Sequence, residues 1–367
     1  MADTRRHYLD LIRQDGVHLT PELAAAFATV PRELFVPTGF RRRDGGWVAP
    51  ADPDFLATVY RNDVLVTKLN GDVPISSSSQ PSLMAIMLRA LDVRPGMRVL
   101  EIGAGTGYNA ALLATLGAEV TSVDVQEDVA VRARAALDRA GITGVRVTAG
   151  DGYLGDPDAR YDRIIVTVGV AGLSPHWFAQ LAPDGLVIAP VEHAGHHPVL
   201  SVRPGDPATA AVVCSSGFMA AAGPLGARHA GSHPSSAGAL PELAETAPAR
   251  WSPPLTTVAY RDLWYAVGAW HRRATLATPA DWDRTRLVLL DEAGSGGAAI
   301  QPDGSVHAGG PEAARCTAVA TTLIDRWLEL GRPEMRGWQV GLALDGDPAA
   351  PIWVPHTWQI VQGRAPR

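Results

Sequence analysis

With 367 residues, 46% of them hydrophobic, the chain is long enough for one large or two ordinary domains with real cores. A net charge of −6 argues against broad nucleic-acid or membrane-surface binding, and no stretch approaches the roughly 20 apolar residues of a membrane helix. The two cysteines, Cys214 and Cys316, form no disulfide framework, and Met1 to Asp10 is polar and unlike a signal peptide, so a cytoplasmic setting is expected.

Residues 4–30 predict two short helices. Leu9, Leu11 and Ile12, then Leu23, Ala26, Phe27 and Val30, fall at helical spacing, and Thr20-Pro21 marks the second start as N-cap and first-turn proline. Val30-Pro31-Arg32-Glu33-Leu34-Phe35-Val36-Pro37 reads as an extended segment between prolines, and Arg41 to Pro53 as loop. Val64 to Thr67 leads to a turn at Asn70-Gly71. Ser76 to Ser79, then Gln80-Pro81, precede a helix from Leu83 to about Leu91; taken alone, the serines fit capping and flexibility, since N-cap positions favour serine.

An apolar strand, Val99 to Ile102, then enters Gly103-Ala104-Gly105-Thr106-Gly107-Tyr108, and a helix follows over Asn109 to Leu116. Such a loop turns sharply and lets a ligand approach the backbone, with free N–H groups at the helix start. A dinucleotide loop reads G-x-G-x-x-G; this one reads G-x-G-x-G with Glu101 before it. Glu119 to Asp124 is a second strand ending in an acid, about 20 residues on, where a doubly wound sheet places the ribose-binding residue. Val129 to Ala140 predicts a helix, Val145 to Val147 a third strand, and Gly150-Asp151-Gly152 a tight turn. Tyr161 to Val168 and Gly185 to Val191 complete an alternation that predicts an α/β fold, a doubly wound parallel sheet with helices on both faces.

His193, His196 and His197 have no acid or cysteine suitably placed beside them and read as a polar loop, with no metal expected. Val199 to Val202 and Ala211 to Cys214 read as closing strands. From about Arg228 to Pro254 His, Gly, Ser, Ala and Pro dominate, which divides the chain into residues 1–228, a linker over 229–250, and an added α+β domain over 251–367. That last part holds tryptophans, among them Trp264, Trp270, Trp327, Trp338 and Trp353. It predicts strands at Leu287 to Leu290 and Val340 to Leu344, and a helix over Ala313 to Leu330 with Ala314, Ala318, Thr321, Leu323, Ile324, Trp327 and Leu328 on its apolar side. It holds no catalytic motif; structural extension and substrate recognition both stay open.

The loop with Glu101 resembles motif I of S-adenosylmethionine (SAM) methyltransferases. V-P-R-E-L-F-V-P, Ser79-Gln80-Pro81, L-E-I-G-A-G-T-G-Y, Val123-Asp124, G-D-G and Y-D-R-I-I-V-T at 161–167 stand in the order found in the protein L-isoaspartate O-methyltransferase family, over about Ala28 to Val191. The resemblance implies a Rossmann-like class I SAM methyltransferase fold with N-terminal helices, SAM as cofactor, and methyl transfer to a side-chain carboxylate in peptides. It implies that Ser78, Ser79 and Gln80 position the acceptor. Glu101, Gly103, Gly105 and Gly107 would hold the methionine end, Asp124 the ribose, and Asp151 the adenine, with Val125 and Gly152 also on the cofactor. The extra serines, and Ser82 where an aromatic residue or His is usual, depart from the family pattern. A serine-rich acceptor segment with an extension beyond the common domain resembles a divergent branch encoded with ribosomally made, modified peptides. That branch implies as partner a cyclised precursor (lanthipeptide, graspetide or lasso peptide) whose aspartyl ester collapses to an aspartimide. Isoaspartyl repair is the alternative. An escort protein that binds without catalysis fits poorly with the intact loop, and an NAD oxidoreductase with its spacing.

Overall fold

In the N-terminal helices, α1 (Ala2–Gln14) and α2 (Pro21–Thr29), the second start is as the sequence predicts: the Thr20 hydroxyl accepts a bond from Leu23 N–H at 3.3 Å, with Pro21 in the first turn. The computed structural model describes residues 2–205, 208–229, 232–233, 240–279, 282 and 284–361. Residues 230–231 and 234–239 of the predicted linker, and 362–367 of the predicted C-terminal domain, lie outside the described residues. The chain separates into one unit of Met1–Pro190, Leu200–Asp206 and Phe218–Gly226, and another of Val191–Val199, Pro207–Gly217 and Ala227–Arg367.

The first unit opens with a departure from the sequence reading. Val30 to Pro37 is not extended; Arg32–Phe35 forms a 3-10 turn, closed by Leu34 N to Pro31 O and Val36 N to Glu33 O. Side chains three apart coincide in such a turn, so Arg32 and Phe35 enter the interior together. A four-stranded sheet follows, ordered β2-β1-β3-β4, from β1 (Phe40–Arg41), β2 (Trp47–Val48), β3 (Leu65–Asn70) and β4 (Val73–Ser78), with α3 (Phe55–Val59) between β2 and β3. Ser76 to Ser78 are therefore strand, paired Leu65↔Ser78 and Val66↔Ser77, and Ser79 follows it. They do not cap α4 (Pro81–Leu91); Gln80 stands at its N-cap and its side chain makes no capping bond.

The main sheet of this unit contains β5 (Arg98–Ile102), β6 (Glu119–Asp124), β7 (Val145–Ala149), β8 (Tyr161–Val166), β9 (Leu181–Pro190) and β10 (Val199–Arg203), in the order β10-β9-β8-β5-β6-β7. Helices α5 (Tyr108–Thr115), α6 (Glu127–Arg139) and α7 (Pro175–Gln180) connect them. β5 pairs in parallel with β6 on one side and β8 on the other, and its Val99, Leu100 and Ile102 are buried. The chain steps outward from β5 to β7, then returns to the other side of β5 as β8. That reversal opens a crevice beyond the strands' carboxyl ends, the place where such sheets bind ligands.

The second unit contains β11 (Thr209–Cys214), β12 (Ala244–Ala247), α8 (Thr257–Trp270), β13 (Ala274–Ala277), β14 (Arg286–Leu290), β15 (Gly297–Ile300), β16 (Val306–Gly309), α9 (Ala313–Glu329), β17 (Trp338–Asp345) and β18 (Ile352–Ile360). β11, β17 and β18 pair antiparallel; β12-β16-β15-β14-β13 is a separate five-stranded sheet. β12 falls within the stretch read as linker and pairs with β16. β15 reads Gly-Ala-Ala-Ile, without a strand signature, because its backbone neighbours leave little space: a Cβ on Gly297 would lie 2.3 Å from Leu289 O. On α9 the buried stripe is Cys316, Ala320, Leu323, Ile324 and Trp327; Ala314 and Ala318 face solvent, so the predicted apolar side is rotated. Trp264, Trp327 and Trp338 are interior, spent on this unit's own core.

The histidines also depart from expectation. His193 and His196 form a tight bridge packed into aromatic surroundings, not a polar loop. The His193 ring lies 4.4 Å from that of Tyr265, with its Nε2 2.8 Å from Tyr265 O, and His196 stands against Trp264. Gly268 on α8 makes room for them, since a Cβ there would lie 2.5 Å from His193 Nε2. Among the described residues no group of three His, Cys, Asp or Glu is placed to hold a metal, and no helix is long and apolar enough to cross a membrane. Burial drives the His193 pKa down to about 3 and those of His196, His197 and His233 down to about 4. The unfolded chain protonates histidine near 6.5, so below that pH it binds more protons than the native state. Stability is complete above that value and falls as pH drops toward 4. Melting temperature followed by tryptophan fluorescence should decline through this window, and His196→Phe should flatten the decline; an unchanged slope would contradict the assignment.

Candidate active site

The glycine loop is shaped by its backbone. Gly103, Gly105 and Gly107 have φ of +97°, +52° and +85°, a region open to glycine at little cost. The space is equally restrictive. A Cβ on Gly103 would lie 2.8 Å from Thr167 Oγ1, and one on Gly105 would lie 3.0 Å from Ser77 O. The loop thus touches the serine strand directly. Gly107 is the N-cap of α5, so the first N–H groups of that helix open toward the crevice.

Asp124 ends β6 beside this loop. Its Oδ2 accepts from Gly105 N–H at 3.0 Å and its Oδ1 from Gln126 N–H at 2.9 Å. A carboxylate has about four acceptor positions, so these two bonds orient it and leave capacity for a ligand diol. Burial raises its pKa, opposed by the Gln126 and Gly105 N–H bonds. Val125 follows with its apolar side chain 60% exposed, a surface against which a ring can lie. Asp151 is exposed after β7 and accepts from Tyr153 N–H at 2.9 Å; Gly152 lies next to Ile102, with no room for a Cβ.

Glu101 lies beneath the loop, fully buried. Asn109 Nδ2 donates to its Oε1 at 2.8 Å and Ser122 Oγ to its Oε2 at 2.5 Å. It ties the first turn of α5 to β6, supporting the loop from below. Burial lifts its pKa to about 7, with the Ser122 and Asn109 bonds opposing that rise.

Ser78 ends β4, and Ser79 and Gln80 follow it into α4. Ser78 is 2% exposed, yet its Oγ has no hydrogen-bond partner. Ser79 is half-buried, and Gln80 Nε2 donates to Asp15 at 3.4 Å. Two residues missed in the sequence, Gln126 and Arg32, hold this segment. Gln126 Nε2 donates to Ile75 O at 2.9 Å, while its Oε1 accepts from Lys68 Nζ at 2.8 Å. Arg32, wholly buried, donates to Val59, Arg61, Asp63 and Ser79 carbonyls at 2.9 to 3.0 Å. A cation set among prolines and apolar residues, in V-P-R-E-L-F-V-P, was the available signal.

Residues 3–214 match the family described as Protein-L-isoaspartate(D-aspartate) O-methyltransferase (PCMT). The chain belongs to this family. With it, the chain belongs among the SAM-dependent protein carboxyl O-methyltransferases. It is 38% identical over 185 residues to the protein-L-isoaspartate O-methyltransferase of Thermotoga maritima, a match covering 49% of this chain and 53% of that protein. With the corresponding Gloeobacter violaceus protein it shares 38% over 184 residues, covering 49% and 78%. A solved structure of a protein-L-isoaspartate O-methyltransferase aligns over 96% of this chain and 99% of its own, at 25% identity and a TM-score of 0.54. The alignment runs past the family match, so the C-terminal extension is shared with at least one solved structure of that name.

The residues fit the cofactor. The loop would clash with side chains, Asp124 has acceptor capacity, Val125 offers an apolar surface, and Asn109 Oδ1 is buried without a partner. Two measurements check these placements. Asp124→Ala should weaken SAM binding at least tenfold in calorimetry, about 1.4 kcal/mol; unchanged affinity would remove Asp124 from the site. Glu101 keeps its proton in the native state up to about 7, whereas the unfolded chain loses it near the ordinary 4.5. Wild-type stability should therefore fall across that window relative to Glu101→Gln as pH rises; parallel denaturation curves would show that burial does not perturb it.

Proposed function

We propose that this chain esterifies an aspartate side-chain carboxylate in a cyclised, ribosomally made precursor peptide, and that the ester then collapses to an aspartimide. The observation that carries the reading is Ser78: a buried, unpartnered hydroxyl on a serine-rich strand that touches the glycine loop at Gly105. A buried polar group without a partner is costly, and an acceptor carboxylate would satisfy it.

The chemistry asks little of the protein. An aspartate has a pKa near 3.9 and is ionised at neutral pH, so no general base is needed. Bound SAM supplies an electrophilic methyl on a sulfonium. The chain's residues supply alignment, an effect worth several kcal/mol. In this reading Ser78 and Ser79 donate to the carboxylate and Gln80 orients the backbone beside it. Glu101, through Asn109, and the three glycines shape the methionine pocket. Asp124 accepts from the ribose hydroxyls, and Asp151 with Gly152 and Val125 borders the adenine. After esterification the next residue's backbone nitrogen attacks the ester carbonyl. The new C–N bond replaces the C–OCH3 bond, and the nitrogen's proton leaves with methanol. A five-membered ring results without a further catalytic residue.

The second reading is repair of isoaspartyl residues. It is favoured by the solved isoaspartate methyltransferase that aligns over 96% of this chain, because an extension found there need not serve a cyclised peptide. Under the biosynthetic reading, the second unit recognises the folded precursor, which loses less entropy on binding than a linear one.

Mass spectrometry on three peptides separates the two. A cyclised precursor should gain one methyl and then lose methanol, while its linear form and a generic isoaspartyl peptide react weakly or not at all. Comparable turnover of the isoaspartyl peptide returns the protein to repair. Replacing Ser78 and Ser79 by alanine should depress transfer with SAM affinity near wild type; equal loss of both would assign the serines to structure.

A further inference from the structure

Within the first unit, a cavity of about 290 Å³ opens between β1 and the segment leading into β3. Its floor includes the buried side chains of Phe40 and Leu65; its charged lining is Arg42, Arg43 and Arg61 with Asp44 and Asp63. The acids are already engaged. Asp44 lies 3.3 Å from Arg42, which Asp54 also approaches at 3.5 Å. Asp63 accepts from Val64 N–H at 2.8 Å and stands 3.8 Å from Arg43. Among the described residues no carboxylate is within ion-pair distance of Arg61, which is exposed at the cavity edge. The contact between Asp63 and Arg43 is long enough for an incoming carboxylate to compete for that guanidinium.

The cavity is joined to the acceptor segment. Arg32 donates through Nη1 to Arg61 O and through Nη2 to both Asp63 O and Ser79 O. One guanidinium therefore holds the cavity wall and the acceptor strand side by side. Leu65, on the floor, pairs with Ser78 across the β3–β4 ladder.

We infer that this cavity is a subsite for a second carboxylate of the peptide whose first carboxylate accepts the methyl group. The inference rests on the carboxyl methyltransferase reading and adds to it a preference for acidic substrates. An apolar floor takes the methylene stem of an acidic side chain. The guanidinium edge takes its carboxylate, for which arginine offers a planar, two-bond match. A flanking Asp or Glu and a free peptide C-terminus share this chemistry.

The test uses the full chain and isoaspartyl hexapeptides carrying Glu or Gln next to the acceptor, each with a free or an amidated C-terminus. Steady-state methylation and calorimetric binding, the latter with S-adenosylhomocysteine present, are measured on every peptide. For wild type, the Glu or free-acid peptide should show a KM and a dissociation constant about tenfold lower than its neutral partner, with similar kcat. The member of the set that shows the gap identifies the source of the carboxylate. Arg61→Gln should abolish the gap and leave the neutral peptide's constants and SAM affinity unchanged; Arg61→Lys should restore part of it, and Arg43→Gln should narrow it. Equal constants for acidic and neutral peptides in wild type overturn the subsite, as does an Arg61→Gln variant that weakens both equally. If no isoaspartyl peptide is methylated, as the biosynthetic reading expects of linear peptides, the calorimetric gap alone decides the subsite.

Discussion

The first unit depends on a buried cation, Arg32, that has no carboxylate in ion-pair contact among the described residues. A guanidinium removed from water is costly unless its donors are satisfied. Arg32 meets that demand at Nη1 and Nη2 with backbone carbonyls drawn from Val59, Arg61, Asp63 and Ser79, while its Nε is buried without a partner. Its ring neighbours, Tyr8 and Tyr108, lie 6.0 and 5.7 Å from the guanidinium carbon and add their π faces. Tyr108 is the first residue of α5, directly after the glycine loop. One side chain thus holds the N-terminal segment, the approach to β3, the residue after β4 and the start of α5 in register. A carboxylate partner would have satisfied the charge at one point; carbonyls from several segments make it a junction.

The Rossmann-like core was legible because its signals are local. Apolar runs bounded by glycine turns read as buried parallel strands, and β5 to β9 form at those runs. Asp124 and the glycines were legible for the same reason, as end-of-strand chemistry at fixed spacing. Arg32 and Gln126 were not, since their roles lie in bonds to carbonyls distant in sequence, and a carbonyl has no letter. Much of the second unit was illegible for a different reason. The Gly-Ala-rich β15 has no periodicity to read, and α8 is buried nearly all round, so no polar face distinguishes it. The histidines looked polar in sequence and became interior through Gly268, whose missing Cβ only matters once the helix is in place.

That buried histidine group gives the second unit a pH response opposite to that of Glu101. The first is lost on acidification, the second relieves an unfavourable charge on acidification. Cofactor cradle and C-terminal unit therefore resist different conditions, although both effects share one cause, the cost of ionising a group without water.

The three attachments of β4 and the residue after it have a property in common. Gln126 bonds Ile75 O, Arg32 bonds Ser79 O, and Gly105 abuts Ser77 O. Each takes hold of main chain, and none depends on which side chain the strand carries. These holds on the backbone would survive a change of side chain that the surrounding space accepts. A side-chain change here alters what the segment presents without releasing the segment itself.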